Sequence, residues 1–229
     1  MSELVTITPS TIERSTIQPT TALATMASAE ILVPAAIPPG SSKFPVETVY
    51  SFCALHGKLG EGQVFAFTSA HRKEGVTHVV HLLGAQLASY CGQDVLIVRP
   101  PNLRSLSPLD VERIDIIGRR DALGLWTLPE DLPEREAHDA APPDDLWHVL
   151  RARFRYVLLD CSALDVTGDI LSLAPRVDGM VLVVKAGETT KADIQKAVRL
   201  LSLGSSSPFA GCILNQRTYP IPGFLYRNL

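Results

Sequence analysis

Alternation of short apolar runs with helical patterns predicts a doubly wound, mostly parallel α/β sheet with helices on both faces. The runs Val64–Phe67, Val95–Val98, Tyr156–Leu159, Met180–Val184 and Cys212–Leu214 are apolar at every position, as strands covered on both faces must be. Helical segments separate most of them, so a strand, loop, helix, strand unit recurs along the chain. That unit yields parallel pairing.

Taken in order, residues 1–42 are rich in Ser, Thr, Pro and Ala and follow neither a helical nor a strand period. They read as a disordered tail, with Ala22 to Ile37 able to form a docking helix. Residues 43–229 read as one domain. Val46, Val49, Tyr50, Cys53 and Ala54 share one helical stripe within Val46 to Lys58. Val64–Phe67 is the first buried strand, Ser69 to Gly75 a loop, and Val76 to Cys91 a helix closed by Gly92. After the strand Val95–Val98, the pattern predicts a helix over Leu109 to Arg119 and a short strand within Gly124 to Leu128. An acidic, Pro-punctuated loop from Glu130 to Asp145 follows. Asp144 and Asp145 open the helix DDLWHVLRARF, whose acidic start and arginine-rich end both suit the helix macrodipole. A helix is expected between each pair of the last three strands.

The composition is that of an ordinary water-soluble chain. Among 229 residues, 46% are hydrophobic, and 24 acidic side chains against 21 basic ones leave a formal charge of −3. A pI near 6.1 gives no electrostatic reason to expect a nucleic-acid partner. The four cysteines stand far apart without a C-x-x-C pair, which suggests neither a disulfide framework nor a zinc module. No secretory or membrane-spanning pattern is visible, so the chain reads as cytoplasmic. Of the 21 basic residues only 6 are Lys.

The most informative stretch is Thr68-Ser69-Ala70-His71-Arg72-Lys73-Glu74-Gly75-Val76-Thr77, between a buried strand and a helix. A phosphate-binding loop operates in this position. Its backbone N–H groups face the anion, glycines let the backbone approach, a Lys reaches the terminal phosphates, and a Ser or Thr hydroxyl binds Mg²⁺. Gly75 and Thr77 fit that pattern. Val76 stands at the lysine position and Lys73 at that of an earlier glycine, so on the motif alone the segment reads as a plain strand-to-helix turn. His71, His78 and His81 suggest a metal site, but packing or solvent roles are the simpler reading. Cys161 reads as a small buried residue.

The downstream half, FRYVLLDCSALDVTGDILSLAPRVDGMVLVVKAGETTKADIQKAVRLL followed by FAGCILNQ, resembles the capsular and exopolysaccharide family of bacterial tyrosine autokinases. These are deviant-Walker P-loop ATPases related to MinD and ParA, and the resemblance runs from Val46 to Arg217, including GLWTLPED. It implies that Thr77 binds Mg²⁺, that Asp160 is the Walker-B carboxylate behind that ion, and that Asn215 faces the adenine. It also exposes three departures. Val76 replaces the loop lysine, His71 replaces the second lysine of deviant loops, and Arg99-Pro100-Pro101-Asn102 stands where an Asp-x-Asp segment belongs. The Lys shortage thus has a location.

Phosphoryl transfer depends on positioning and neutralising phosphate charge. Each lost charged hydrogen bond to phosphate is worth about 1.5–3 kcal/mol, roughly a ten- to hundred-fold loss of affinity. Lys73 and Arg72 are the available substitutes, and Arg99 can attract phosphate while repelling Mg²⁺. The expectation is therefore a pseudo-kinase in polysaccharide assembly, with ATP or ADP and Mg²⁺ bound weakly or not at all. Its partner would be a membrane-anchored polysaccharide chain-length regulator, which would hold it at the inner face of the membrane. The alternatives are a working tyrosine autokinase and a MinD/ParA-like positioning ATPase. In the family's oligomer-forming helix a Glu is followed by two arginines; Glu47 has its counterpart, but Tyr50 and Cys53 hold the arginine positions, so a family-style ring is not expected. The ending RTYPIPGFLYRNL has only Tyr219 and Tyr226 where the kinases carry a tyrosine cluster.

Overall fold

A computed structural model describes residues 62–129, 132, 142–203 and 209–216. The tail, the helix expected over Val46 to Lys58, residues Glu47, Tyr50 and Cys53, most of the acidic loop, and Tyr219 and Tyr226 lie outside the described residues.

The chain order is β1 (Gln63–Ser69), α1 (Val76–Cys91), β2 (Val95–Val98), α2 (Pro100–Ser105), α3 (Pro108–Glu112), α4 (Ile114–Ile117), β3 (Arg119–Arg120), β4 (Leu125–Thr127) and α5 (Asp144–Arg153). Then come β5 (Tyr156–Asp160), α6 (Asp169–Leu173) with one 3-10 turn, β6 (Gly179–Lys185), α7 (Lys191–Ser202) and β7 (Phe209–Asn215). One seven-stranded sheet has the order β3-β4-β2-β5-β1-β6-β7. All pairs are parallel except β3 with β4.

The apolar runs have a plain physical reason. Alternate residues point to opposite faces of a strand, and here both faces are covered. Val64, Ala66, Leu96 and Leu159 join Leu146 and Leu150 of α5 and Leu201 of α7 on one side. Phe65, Phe67, Ile97 and Leu158 join Val79, Val80, Leu83 and Leu87 of α1 on the other. Each fully buried Leu or Phe contributes about 1.5–3 kcal/mol against leaving it in water. Gly92 ends α1 in the left-handed conformation, its N–H bonded to Ala88 O at 3.0 Å.

The helix expected over Leu109 to Arg119 is corrected. Two short helices, α3 and α4, replace it, and Arg119 lies in β3. Ser107 caps α3 in a reciprocal capping box with Asp110, and Pro100 and Pro108 occupy first helical positions, so start signals recur before any helix can lengthen. The helix between β5 and β6 is likewise only five residues plus the 3-10 turn.

The consequence for the site is positional. β1 lies between β5 and β6, so the chain builds outward from β1 in both directions. In open α/β sheets, ligands bind outside the carboxyl ends of the strands where the order reverses. The loop after β1 sits there.

Candidate functional site

The carboxyl ends of β1, β2, β5, β6 and β7 and the loop after β1 make up the site. From β1 the chain enters residues 70–75. The Ser69 hydroxyl donates to the His71 carbonyl at 2.8 Å, and Thr68 Oγ1 donates to the Ser162 carbonyl at 2.6 Å. Lys73 and Gly75 both take positive φ, 68° and 88°. A side chain at 73 therefore sits in a backbone conformation that favours glycine, which costs on the order of 1–2 kcal/mol. Gly75 has no such freedom to lose: a Cβ there would lie 2.2 Å from Asn215 Nδ2.

The loop is closed from inside by Glu74, which is buried although charged. The Ala70 N–H donates to Glu74 Oε2 at 3.1 Å, and the Thr189 hydroxyl donates to Glu74 Oε1. Thr189 Oγ1 in turn accepts from the Lys185 N–H at 3.1 Å, at the end of β6. Asn215, buried at the end of β7, donates through Nδ2 to the Glu74 carbonyl at 2.8 Å and accepts the Gln216 N–H at 2.9 Å. The residue expected to face an adenine thus holds the loop against the sheet.

Sequence reasoning missed Glu74, Thr189 and Asp165. A charge just before the loop glycine and the polar AGETT run were the available signals, but their pairing spans 115 residues.

Thr77 and Asp160 are brought together as expected. Thr77, in the first turn of α1, donates its hydroxyl to Asp160 Oδ2 at 2.8 Å. Burial pushes the Asp160 carboxyl above its ordinary range, opposed by the Thr77 hydrogen bond and by the charges of His81 and Arg99. The last β2–β5 pair is Val98 with Leu159, so Arg99 follows the end of β2 while Asp160 is the last residue of β5, paired with Phe67 of β1.

The two expected lysine positions are accounted for differently. Val76 is buried in the apolar cluster beneath α1, an environment that suits it better than a charged head. His71 bridges two carboxylates, its Nδ1 3.1 Å from Asp165 Oδ2 and its Nε2 3.5 Å from Asp193 Oδ1. The Asp165 hydrogen bond leads the causes that raise the His71 pKa, burial opposes it, and Asp193 adds to the rise. Carboxylates therefore do approach His71. Even so, no group of three His, Cys, Asp or Glu able to hold a metal occurs among the described residues. Cys161 is buried, which pushes its thiol far above the ordinary range and makes it inert as a nucleophile.

The fold family implies Mg²⁺ at Thr77 and Asp160. Mg²⁺ is ordinarily held by one or two carboxylates and by phosphate oxygens, and the Thr77 hydroxyl and the Asp160 carboxylate, 2.8 Å apart, are the groups that would hold it, with Arg99 rather than a second acid following β2.

No family model matches the chain. The kinase domain of Escherichia coli tyrosine kinase ETK superposes with a TM-score of 0.55 at 17% identity, covering 91% of this chain and 99% of that one. The fold is that of the bacterial tyrosine-kinase domains. The VpsO kinase domain gives 0.56 at 22% identity, covering 76% and 92%. In sequence, the chain is 32% identical over 73 residues to the tyrosine-protein kinase CpsD of Streptococcus pneumoniae, which is 32% of this chain and 32% of that protein. The matched stretch spans about a third of that curated relative's length. The resemblance seen in the sequence and the mostly parallel sheet are borne out. No described helix is long and apolar enough to cross a membrane.

Proposed function

We propose that this chain is a kinase-like protein that has kept the fold and lost phosphoryl transfer. In this reading it acts through protein contacts, as the cytoplasmic partner of a membrane-anchored polysaccharide chain-length regulator in exopolysaccharide or capsule assembly. The partner class comes from the family resemblance. The loss of chemistry comes from the residues, and one observation carries it: the side chain at the loop-lysine position, Val76, belongs to the hydrophobic core. Rotating it toward a phosphate would supply no charge. His71, the second position, is already held by Asp165 and Asp193.

Two lost lysines remove about 3–6 kcal/mol of charged hydrogen bonding to phosphate if the losses add. That is enough to take nucleotide affinity from micromolar toward millimolar or beyond. ATP or ADP is then at most a weak ligand. Gly75 and Thr77 at the start of α1, with Lys73 and Arg99 beside them, are the residues that would meet it. Asp160 is vestigial in this reading. The division into a tail of residues 1–42 and a domain of 43–229 is part of the same proposal.

A working tyrosine autokinase is the second reading, favoured by the match to CpsD and by the exposed Arg72 and Lys73 in the loop. Complementation separates the two. In a strain lacking the gene, Asp160→Ala is expected to restore polysaccharide yield and chain length as fully as the unchanged protein. A folded Asp160→Ala protein that accumulates normally yet fails to restore them would contradict the scaffold reading.

A further inference from the structure

We propose that His71 is a proton-operated latch: as the imidazolium it ties the loop after β1 to the loop after β5 and to the first turn of α7 at once, and as the neutral ring it releases α7. The proposal concerns how the loop is held and does not depend on whether the site transfers phosphate.

The two ring nitrogens carry the argument. Nδ1 lies 3.1 Å from Asp165 Oδ2, in the loop after β5, and Nε2 lies 3.5 Å from Asp193 Oδ1, in the first turn of α7. A neutral imidazole has one N–H donor and one bare lone pair, whereas the imidazolium has two donors. With a carboxylate oxygen at each nitrogen, the neutral ring would turn a lone pair toward an anion whichever tautomer it took. The arrangement therefore belongs to the charged ring. Both carboxylates are placed by other bonds. Asp193 Oδ2 accepts from the Thr190 N–H and hydroxyl, which leaves Oδ1 for His71. The loop of Asp165 is joined to β1 by the Thr68 hydroxyl on the Ser162 carbonyl and by the Leu164 N–H on the Ser69 carbonyl, at 2.6 and 2.9 Å.

Asp165 and Asp193 are the charged groups that face the ring. Arg72 and Lys73 flank it in its own loop and Lys191 opens α7, all three exposed, while the Glu74 carboxylate is turned inward to Ala70 and Thr189. His71 thus adds a titrating link to a set of links that do not titrate. Its pKa lies above 6.5, so the latch is complete below that value and is lost as pH rises through the folded-state pKa. A lysine, which the deviant loops carry here, would keep its charge through the same range. When the proton leaves, the 3.5 Å contact is the one that opens, because Asp193 retains Thr190 and the ring retains Nδ1–H for Asp165. The part set free is the loop tip with its two exposed cations, Arg72 and Lys73.

Nuclear magnetic resonance on the full-length protein tests this, with the His71 ring nitrogens followed through a pH titration and amide exchange protection measured on either side of the midpoint. The Ala70 N–H donates to Glu74 and the Leu164 N–H to the Ser69 carbonyl, so these two amides report how firmly the loop is held. The expected result is a midpoint above 6.5, with both ring nitrogens protonated below it. Protection should fall roughly two- to tenfold above the midpoint, the worth of one or two exposed ion pairs. His71→Lys should keep the low-pH protection throughout, and His71→Gln should show the high-pH level throughout; either serves if the other does not fold. Asp165→Asn combined with Asp193→Asn should return the midpoint to about 6.5. A midpoint at or below 6.5 in the unchanged protein would overturn the proposal. So would protection in the unchanged protein that is the same on both sides of the midpoint.

Discussion

The two halves of the strand-end site differ in how their polar groups are used. Toward β6 and β7, buried Glu74 and Asn215 are engaged by Ala70, Thr189, the Glu74 carbonyl and Gln216, and Gly75 is fitted against Asn215. Toward β2 and β5, Thr77, Asp160 and Arg99 form a sparser, partly exposed group in which one hydrogen bond and a mixed charge balance do the holding. The first half retains a phosphate loop's architecture, because a loop that must be held in shape is under packing constraint whether or not it meets a phosphate. The second half is where chemistry would occur, and there the residue types have changed. In the proposed reading, the loop keeps its geometry where the chemistry has been lost.

Substitutions can break or sharpen that contrast. The largest effect is expected from Gly75→Ala, which combines positive φ with a 2.2 Å approach to Asn215 Nδ2. Backbone strain of this kind costs on the order of 1–3 kcal/mol before the clash is added, and urea denaturation should show at least that loss. Asn215→Ala comes next, at about 1–3 kcal/mol, because it leaves the buried Glu74 carbonyl without its amide donor. Lys73→Gly should act in the opposite direction, stabilising the fold by about 1 kcal/mol, since φ of 68° suits glycine. Asp160→Asn should change stability little or raise it. The raised pKa means the ionised form costs stability near neutral pH, and the amide removes that cost; a loss above about 2 kcal/mol would place Asp160 with the tightly held half.

The smallest effect is a pH dependence. The His71 pKa is raised above 6.5, so its contribution is fully present below that value and fades as pH rises through the folded-state pKa. Thermal melts of His71→Ala and the unchanged protein should therefore differ most in mildly acid buffer and converge toward alkaline pH. A difference that grows with pH would contradict the bridge to Asp165 and Asp193.

Much of this fold is legible in the sequence, for reasons visible in particular elements. β1, β2, β5 and β6 announce themselves because burial on both faces leaves no polar position in their centres, and α1 because Gly75 and Gly92 bracket it. The stretch after β2 is misread as one helix because Pro108 and Ser107 begin a helix that Arg113, with φ of −103°, breaks and Ile114 restarts. Thr77 and Asp160 are legible through family resemblance. Glu74 with Thr189, and His71 with Asp165, are not, since a hydrogen bond between distant loops leaves no periodicity in either. The sequence also shows that Val76 is not a lysine, but only the packing shows that its side chain serves the core.

The most direct test is turnover of Mg-ATP by the purified protein, with phosphate release and phosphotyrosine measured together. The unchanged protein is expected to give neither above the level of Asp160→Ala. Phosphate release or phosphotyrosine that Asp160→Ala abolishes would show that this strand-end site still performs phosphoryl transfer, and would contradict the separation of architecture from chemistry.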